Sequence, residues 1–291
     1  MSATLAFPRA MRAARIVLRS PTGTLGIGLL IIFVLAVLIL PELGIADPIR
    51  GNLAQRMRPP TLSWTGLGAH PLGTDQLGRD IFSRIVYGGR ITLLVGLAAV
   101  ALGAAVGVAF GVVAGFFGGL PDRILMRLAD MQLSIPLLLL ALIVIAVLGP
   151  GLRNLILVIA LVSWVRYARI VRGQVLSLRE REFIQSARAL GANSLYIMVR
   201  HVLPNVATPI MVVATLELAR VIILEASLSF LGLGVGAPTP SWGAMLADGR
   251  RYISTAWWIG VFPGLAILLT VLAVNLTGDW LRDHFDPKLR K

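Results

Sequence analysis

Six long apolar runs decide most of what this chain can fold into. They cover residues 24–41, 91–117, 131–149, 153–168, 206–231 and 257–280. A helix of about 20 apolar residues crosses a hydrocarbon core of about 30 Å. The expected architecture is therefore an all-α membrane protein with six transmembrane helices. The fourth run is the shortest. Its uncharged core, Asn154 to Val165, crosses only if Arg153 and Arg166 snorkel to the two interfaces.

Composition agrees with a lipid-facing surface. The chain is 57% hydrophobic and 14% charged, whereas a soluble domain of this size covers itself with about a quarter charged residues. The net charge of +13 comes almost wholly from arginine, since Lys288 and Lys291 are the only lysines. Most basic residues stand between the apolar runs, which is the placement of orienting charge and not of a nucleic-acid face. Cysteine is absent, and His70, His201 and His284 are far apart. Thiolate metal sites, disulfides and a histidine metal motif are excluded.

The segment "MRAARIVLRSPTG" before the first run resembles a signal peptide, with Gly44-Ile45-Ala46 as a formal cleavage site. The run is longer than a usual signal core and the chain stays apolar afterwards, so an uncleaved first span is expected. Six spans put the N-terminal segment 1–23, the 118–128 turn, the 166–205 loop and the 281–291 tail on one side. These hold four, two, seven and four basic residues, 17 of the chain's 27. Basic residues gather on the cytoplasmic side, so both termini and the 166–205 loop are expected there. Residues 42–90 form an outer loop and residues 91–280 the core of the membrane domain.

Gly103, Gly107, Gly111 and Gly115 recur every fourth residue in the second run. That spacing stacks them on one face and lets another backbone approach closely. In the outer loop, Thr74 is placed to cap an amphipathic surface helix with Leu77, Ile81, Phe82 and Ile85 on its apolar face and an Asp80–Arg84 pair.

The 166–205 loop ends in "EFIQSARALGANSLYIMVRHVLPN". Ser177-Leu178-Arg179-Glu180 reads as a capping box opening one short helix, and Gly191 suits the left-handed position that closes it. Asn193 can cap a second helix, expected to stop near Leu203 because Pro204 follows. Phe183, Ile184, Ala187 and Leu190 align on the first helix. Leu195, Met198, Val199 and Val202 align on the second. Arg181, Gln185 and Arg188, then Tyr196 and Arg200, take the opposite sides. Such a hairpin can rest on anionic lipid or dock into a partner protein, and pattern alone does not choose.

The same segment resembles the cytoplasmic "EAA" loop of ABC importer permeases, E-A-A-x3-G-x9-I-x-L-P. Here it stands as Gln185-Ser186-Ala187, Gly191, His201, Leu203 and Pro204, with Gln for Glu, Ser for the first Ala and His for Ile. "HPLGTDQLGRDIFSRIVYGGRITLLVG", "LSFLGLGVGAPTPSWGAML" and "NLTGDWLRDHFDPKLRK" are similar to the second, C-type permease subunit of the dipeptide/oligopeptide/nickel branch. This resemblance implies a six-helix type I permease of a bacterial plasma (inner) membrane. Its partners would be a homologous second permease, two ATPase subunits or domains and an extracytoplasmic solute-binding protein. The coupling residues would be Gln185, Ser186, Ala187, Arg188, Leu190, Gly191, Leu195, Arg200 and Pro204. Gly191 would make the turn, Ala187 and Leu190 would pack at the contact, and Arg188 and Arg200 would meet acidic groups. The solute stays open among dipeptides, oligopeptides, glutathione and nickel.

No G-x-x-x-x-G-K-[ST], G-x-S-x-G or H-E-x-x-H sequence is present. ATP and Mg would therefore belong to partner ATPase subunits, with no cofactor on this chain and no catalytic residue. The Gly232–Gly236 run reads as a turn. Ionisable residues inside spans usually face the bundle interior. Glu217 with Arg220 (i,i+3), and Arg127 with Asp130, can pair structurally. Glu217, Arg220 and Glu225 can instead line a path for a zwitterionic peptide, and Glu225, without a close sequence partner, is the foremost candidate. The competing function is an ATP-independent carrier or channel, which should show inverted repeats and broken helices.

Overall fold

The computed structural model describes residues 20–61 and 70–285. The basic residues Arg9, Arg12, Arg15, Arg19, Lys288, Arg290 and Lys291 lie outside them.

The Ser20 hydroxyl accepts the Gly23 N–H, Pro21 occupies the first turn, and α1 (Pro21–Ile39) runs into a 3₁₀ turn at Leu40–Leu43. Arg90 holds the end of α1 by donating to the carbonyls of Val37 and Leu38, and it pairs with Glu42 at 2.8 Å. The remaining helices are α2 (Ile81–Phe117), α3 (Gly119–Leu133), α4 (Leu137–Leu148), α5 (Leu152–Leu178), α6 (Glu182–Ala189), α7 (Ser194–Ile197), α8 (Leu203–Phe230), α9 (Trp242–Arg250) and α10 (Trp258–Phe285). Among the described residues five helical stretches are long and apolar enough to cross a membrane, and six if the bent α3–α4 pair is one span.

Three expectations need correction. The outer segment contains no amphipathic helix starting at Thr74. The Asp75 carboxylate accepts the N–H groups of Leu77 and Arg79 and holds residues 75–79 in a turn. Asp80 is the true cap of α2, accepting the Ser83 N–H at 2.7 Å, and the helix runs unbroken from Ile81 to Phe117. Arg84 therefore reaches Asp75 and the Pro48 carbonyl, not Asp80. The third run is not one straight helix, because α3 and α4 meet at 89°. Ser134 and Ile135 sit at the break, and Pro136 explains it, since it has no N–H and disfavours helix before it.

The fourth run also differs. Helix α5 is 27 residues long and continues to Leu178, so much of the expected loop is helical. More than half of its most apolar window is buried, a larger share than in any other candidate span. That explains its weak hydropathy, because a helix enclosed by other helices need not be apolar all round.

The glycine face of α2 is what encloses it. Gly103, Gly107, Gly111 and Gly115 all lie against α5, and α2–α5 is the most extensive helix pair among the described residues. A Cβ on Gly111 would stand 2.6 Å from the Ala168 carbonyl oxygen and 2.8 Å from Val171 Cβ.

The outer segment closes one end of the bundle. His70 bridges Asp80 (3.0 Å) and Gln55 (2.7 Å) through its two ring nitrogens. Trp258 Nε1 donates to the Thr74 carbonyl and Trp242 Nε1 to that of Ile85. This ties the segment to α9 and to the start of α10. The Gly149–Gly151 turn lies at the same end, with Gly151 N–H on the Gly234 carbonyl.

Gly111→Val should lower stability by about 1–3 kcal/mol through overpacking, read as a drop in melting temperature of the purified complex. Gly173→Ala, where a Cβ meets nothing within 4 Å, should leave it unchanged or slightly raised.

Candidate functional site: a two-sided loop and a charged groove

The loop at the other end is built from two capped turns. α6 opens at Arg181 without a side-chain cap; Ser177 and Leu178 belong to the last turn of α5, so the expected capping box does not form. Gly191 sits at φ +80°, the left-handed region, and Ala192 N–H reaches back to the Ala187 carbonyl at 3.1 Å. Asn193 then accepts the Tyr196 N–H at 2.7 Å and starts α7.

Pro204 does not end this helix. A π-helical turn at Met198–Val202 links α7 to α8, and the Leu203 N–H bonds to the Met198 carbonyl five residues back. The wider turn makes room for a ring that would clash with an ordinary α-helical carbonyl. Ser194 to Phe230 therefore forms one continuous stretch of 37 residues.

One side of the loop is anchored. Ile184, Ile197, Val202 and Val206 are buried against Val112 and Phe116 of α2 and Val171 and Val175 of α5. Ala187 is half-buried on the same cluster, and the Arg188 guanidinium lies 4.8 Å above the Phe116 ring. The other side is bare. Leu190 is 88% exposed and Leu195 65% exposed. Gln185, Ser186, Tyr196, Val199, Arg200 and Pro204 are exposed with them. The expected second face is thus rotated: Ile197 takes the inner position, while Leu195 and Val199 point outward.

The charged residues assemble a groove of 720 Å³ between the α3–α4 bend, α5 and α8. Arg166 and Arg169 of α5 and Glu217 and Arg220 of α8 line it, with Leu133, Leu137 and Leu138 on the bend side. Glu217 accepts from Arg166 Nη1 at 3.0 Å, while Arg220 Nη1 stands 3.9 Å from the same oxygen. The main partner of Glu217 therefore comes from another helix and not from its i+3 neighbour. Asp130 likewise pairs with Arg169 instead of Arg127, and Asp122 takes Arg172 in a two-pronged pair.

Glu225 lies apart from the groove. It is 1% exposed and accepts hydrogen bonds from Thr92 of α2 (3.2 Å) and Ser229 (2.8 Å). Sequence reasoning missed Arg166 and Arg169 as groove residues. Their spacing with Arg172, every third position, was the available signal, but it counts only once α5 is known to reach that far. Among the described residues no three His, Asp or Glu side chains gather as a metal would require.

The methionine ABC transporter MetNI in an inward-facing form superimposes with a TM-score of 0.57 at 19% identity, covering 71% of this chain and 98% of that one. This likeness carries the type I importer permease fold, which is the class that the helices and the two-sided loop define.

Residues 107–291 match the family described as "Binding-protein-dependent transport system inner membrane component", and the chain belongs to it. A di/tripeptide transport system permease of Pseudomonas aeruginosa (strain UCBPP-PA14) is 44% identical over 92% of this chain and 89% of its own. A glutathione transport system permease of Pectobacterium atrosepticum is 47% identical over 76% and 74%. A probable D,D-dipeptide transport system permease of Escherichia coli K12 is 40% identical over 92% and 88%. The chain is a non-catalytic, multi-pass inner-membrane permease subunit of an ABC importer, of the C type. The ATP-independent carrier finds no support.

Replacing Glu217 by Gln or Arg166 by Gln alone should destabilise the complex more than replacing both. A double-mutant cycle on thermal or denaturant unfolding should return a coupling of about 0.5–3 kcal/mol.

Proposed function

We propose that this subunit passes di- or oligopeptides, or a related small solute, inward, and that the 179–205 loop receives the ATP-driven movement that opens the path. An extracytoplasmic binding protein delivers the solute, a homologous permease completes the path, and two ATPase subunits supply the force. The observation that carries this reading is the loop's construction. Its inner residues are packed into the ends of α2 and α5, so a push on the loop moves those helices as a body. Its outer residues, Leu190 and Leu195 above all, leave apolar surface bare at the tip. A hairpin resting on lipid needs no such rigid coupling. The names of the relatives support a peptide-like solute.

Gln185, Ser186, Arg200 and Pro204 border the docking surface in this reading, while Ala187 and Arg188 hold the loop to its own bundle. Glu217 and Arg220 line the path, and Glu225 tunes the α2–α8 contact next to it.

Leu190→Glu puts a charge on a tip that is 88% exposed. It should reduce co-purification of the ATPase subunits without lowering the permease's own melting temperature. Gly191→Val forces a left-handed backbone on a β-branched residue, costing about 1–2 kcal/mol, and should weaken retention of ATPase and solute-stimulated hydrolysis together. Normal retention and stimulation in both variants would sink the docking account. Ala187→Glu should disturb both the anchor and the docking.

In this reading both termini and the loop face the cytoplasm, which the arginine distribution supports. The outer segment supports this by meeting α9 and the start of α10 at the opposite end of the bundle. Reporter fusions within residues 42–61 and after residue 291 should give opposite sides, and a C-terminus found outside would reverse the assignment.

A further inference from the structure

The charge in the groove is not balanced. Four ionisable side chains line it, and three of them are arginines. Arg169 is occupied by Asp130, and Arg166 by Glu217. Arg220 shares the already paired oxygen of Glu217 at 3.9 Å, beyond hydrogen-bond distance, and its side chain is 57% exposed. One guanidinium fork therefore faces the groove with its N–H donors unused among the described residues.

Both charged elements lie near the middle of their helices, Glu217 and Arg220 in α8 and Arg166 in α5. A charge within an apolar helix is costly unless it is paired or wetted. The groove thus presents an excess positive charge midway along α5 and α8, with Leu133, Leu137, Leu138 and Leu224 as apolar walls.

We propose that Arg220 is a carboxylate-receiving station on the solute path, and that the subunit's solutes carry a free carboxylate. This rests on the reading of the groove as part of that path. A planar guanidinium matches a carboxylate with two parallel N–H···O bonds, and the apolar walls accept side chains of varied shape without selecting among them. Glu217, neutralised by Arg166, sets the strength of the station by leaving one positive charge rather than two. A bare divalent cation meets net repulsion here, so the groove favours peptides over metal ions among the solutes open to this branch.

The test uses the reconstituted complex with its binding protein and ATPases. Uptake of di- and trialanine is compared with uptake of their C-terminal amides, which lack the carboxylate charge. The same binding protein delivers every solute to every variant, so a change in the acid-to-amide ratio belongs to the permease. Arg220→Gln should lower that ratio about tenfold, and Arg220→Lys should restore most of it. Glu217→Gln should move the ratio the other way, because it removes the counter-charge. An unchanged ratio in Arg220→Gln, with wild-type uptake of the peptides intact, overturns the station and leaves the peptide-importer reading standing. No wild-type uptake of either peptide or amide overturns that reading and the station with it. A loss of uptake in Arg220→Gln with the ratio preserved assigns Arg220 a structural role and also overturns the proposal.

Discussion

The seam between α2 and α5 is the contact on which the rest of this molecule depends. Four glycines bring the two backbones together where any side chain would keep them apart, and close approach replaces the hydrophobic effect that cannot act between helices in lipid. Because α5 is held there, it can present a different side to every other neighbour. Its arginines meet the acids of α3 and α8, and its inner end carries the loop. A helix with so many polar residues would be unstable facing lipid, and the seam is what removes it from lipid.

The ion pairs follow from that placement. Asp122 and Asp130 of α3 take Arg172 and Arg169, and Glu217 of α8 takes Arg166. Three acids on two helices are thus gathered by one arginine row on a third. Each pair joins opposite charges on neighbouring helices, and together they hold α3 and α8 to opposite flanks of the groove. The groove is a by-product of this arrangement. The 89° break at Ser134 to Pro136 swings α4 away and leaves space that no side chain fills.

The loop shows how a membrane subunit can be both rigid and receptive. Its buried side is continuous with the cores of α2 and α5, and through the π-turn its second half is continuous with α8. In the proposed reading, movement at the tip would pass along the helices that flank the groove. An importer permease needs this link, since it hydrolyses nothing itself.

Sequence alone determined the features that arise within a few residues. The apolar runs announced a membrane bundle, the period-four glycines a packing face, Gly191 a left-handed turn and Asn193 a cap. Each follows from steric limits on one residue or from hydrogen bonds to near neighbours, which a linear pattern carries in full. Tertiary structure decided everything that depended on which helices became neighbours. Asp130 turned to Arg169 and Glu217 to Arg166 because a long arginine spans the gap to an adjacent helix as easily as one helical turn. Likewise Asp75 and Asp80, not Thr74, organised the start of α2, and Pro204 was absorbed by a π-turn that runs straight into α8. A charge takes the best-placed partner in space, and sequence spacing does not show where that partner will stand.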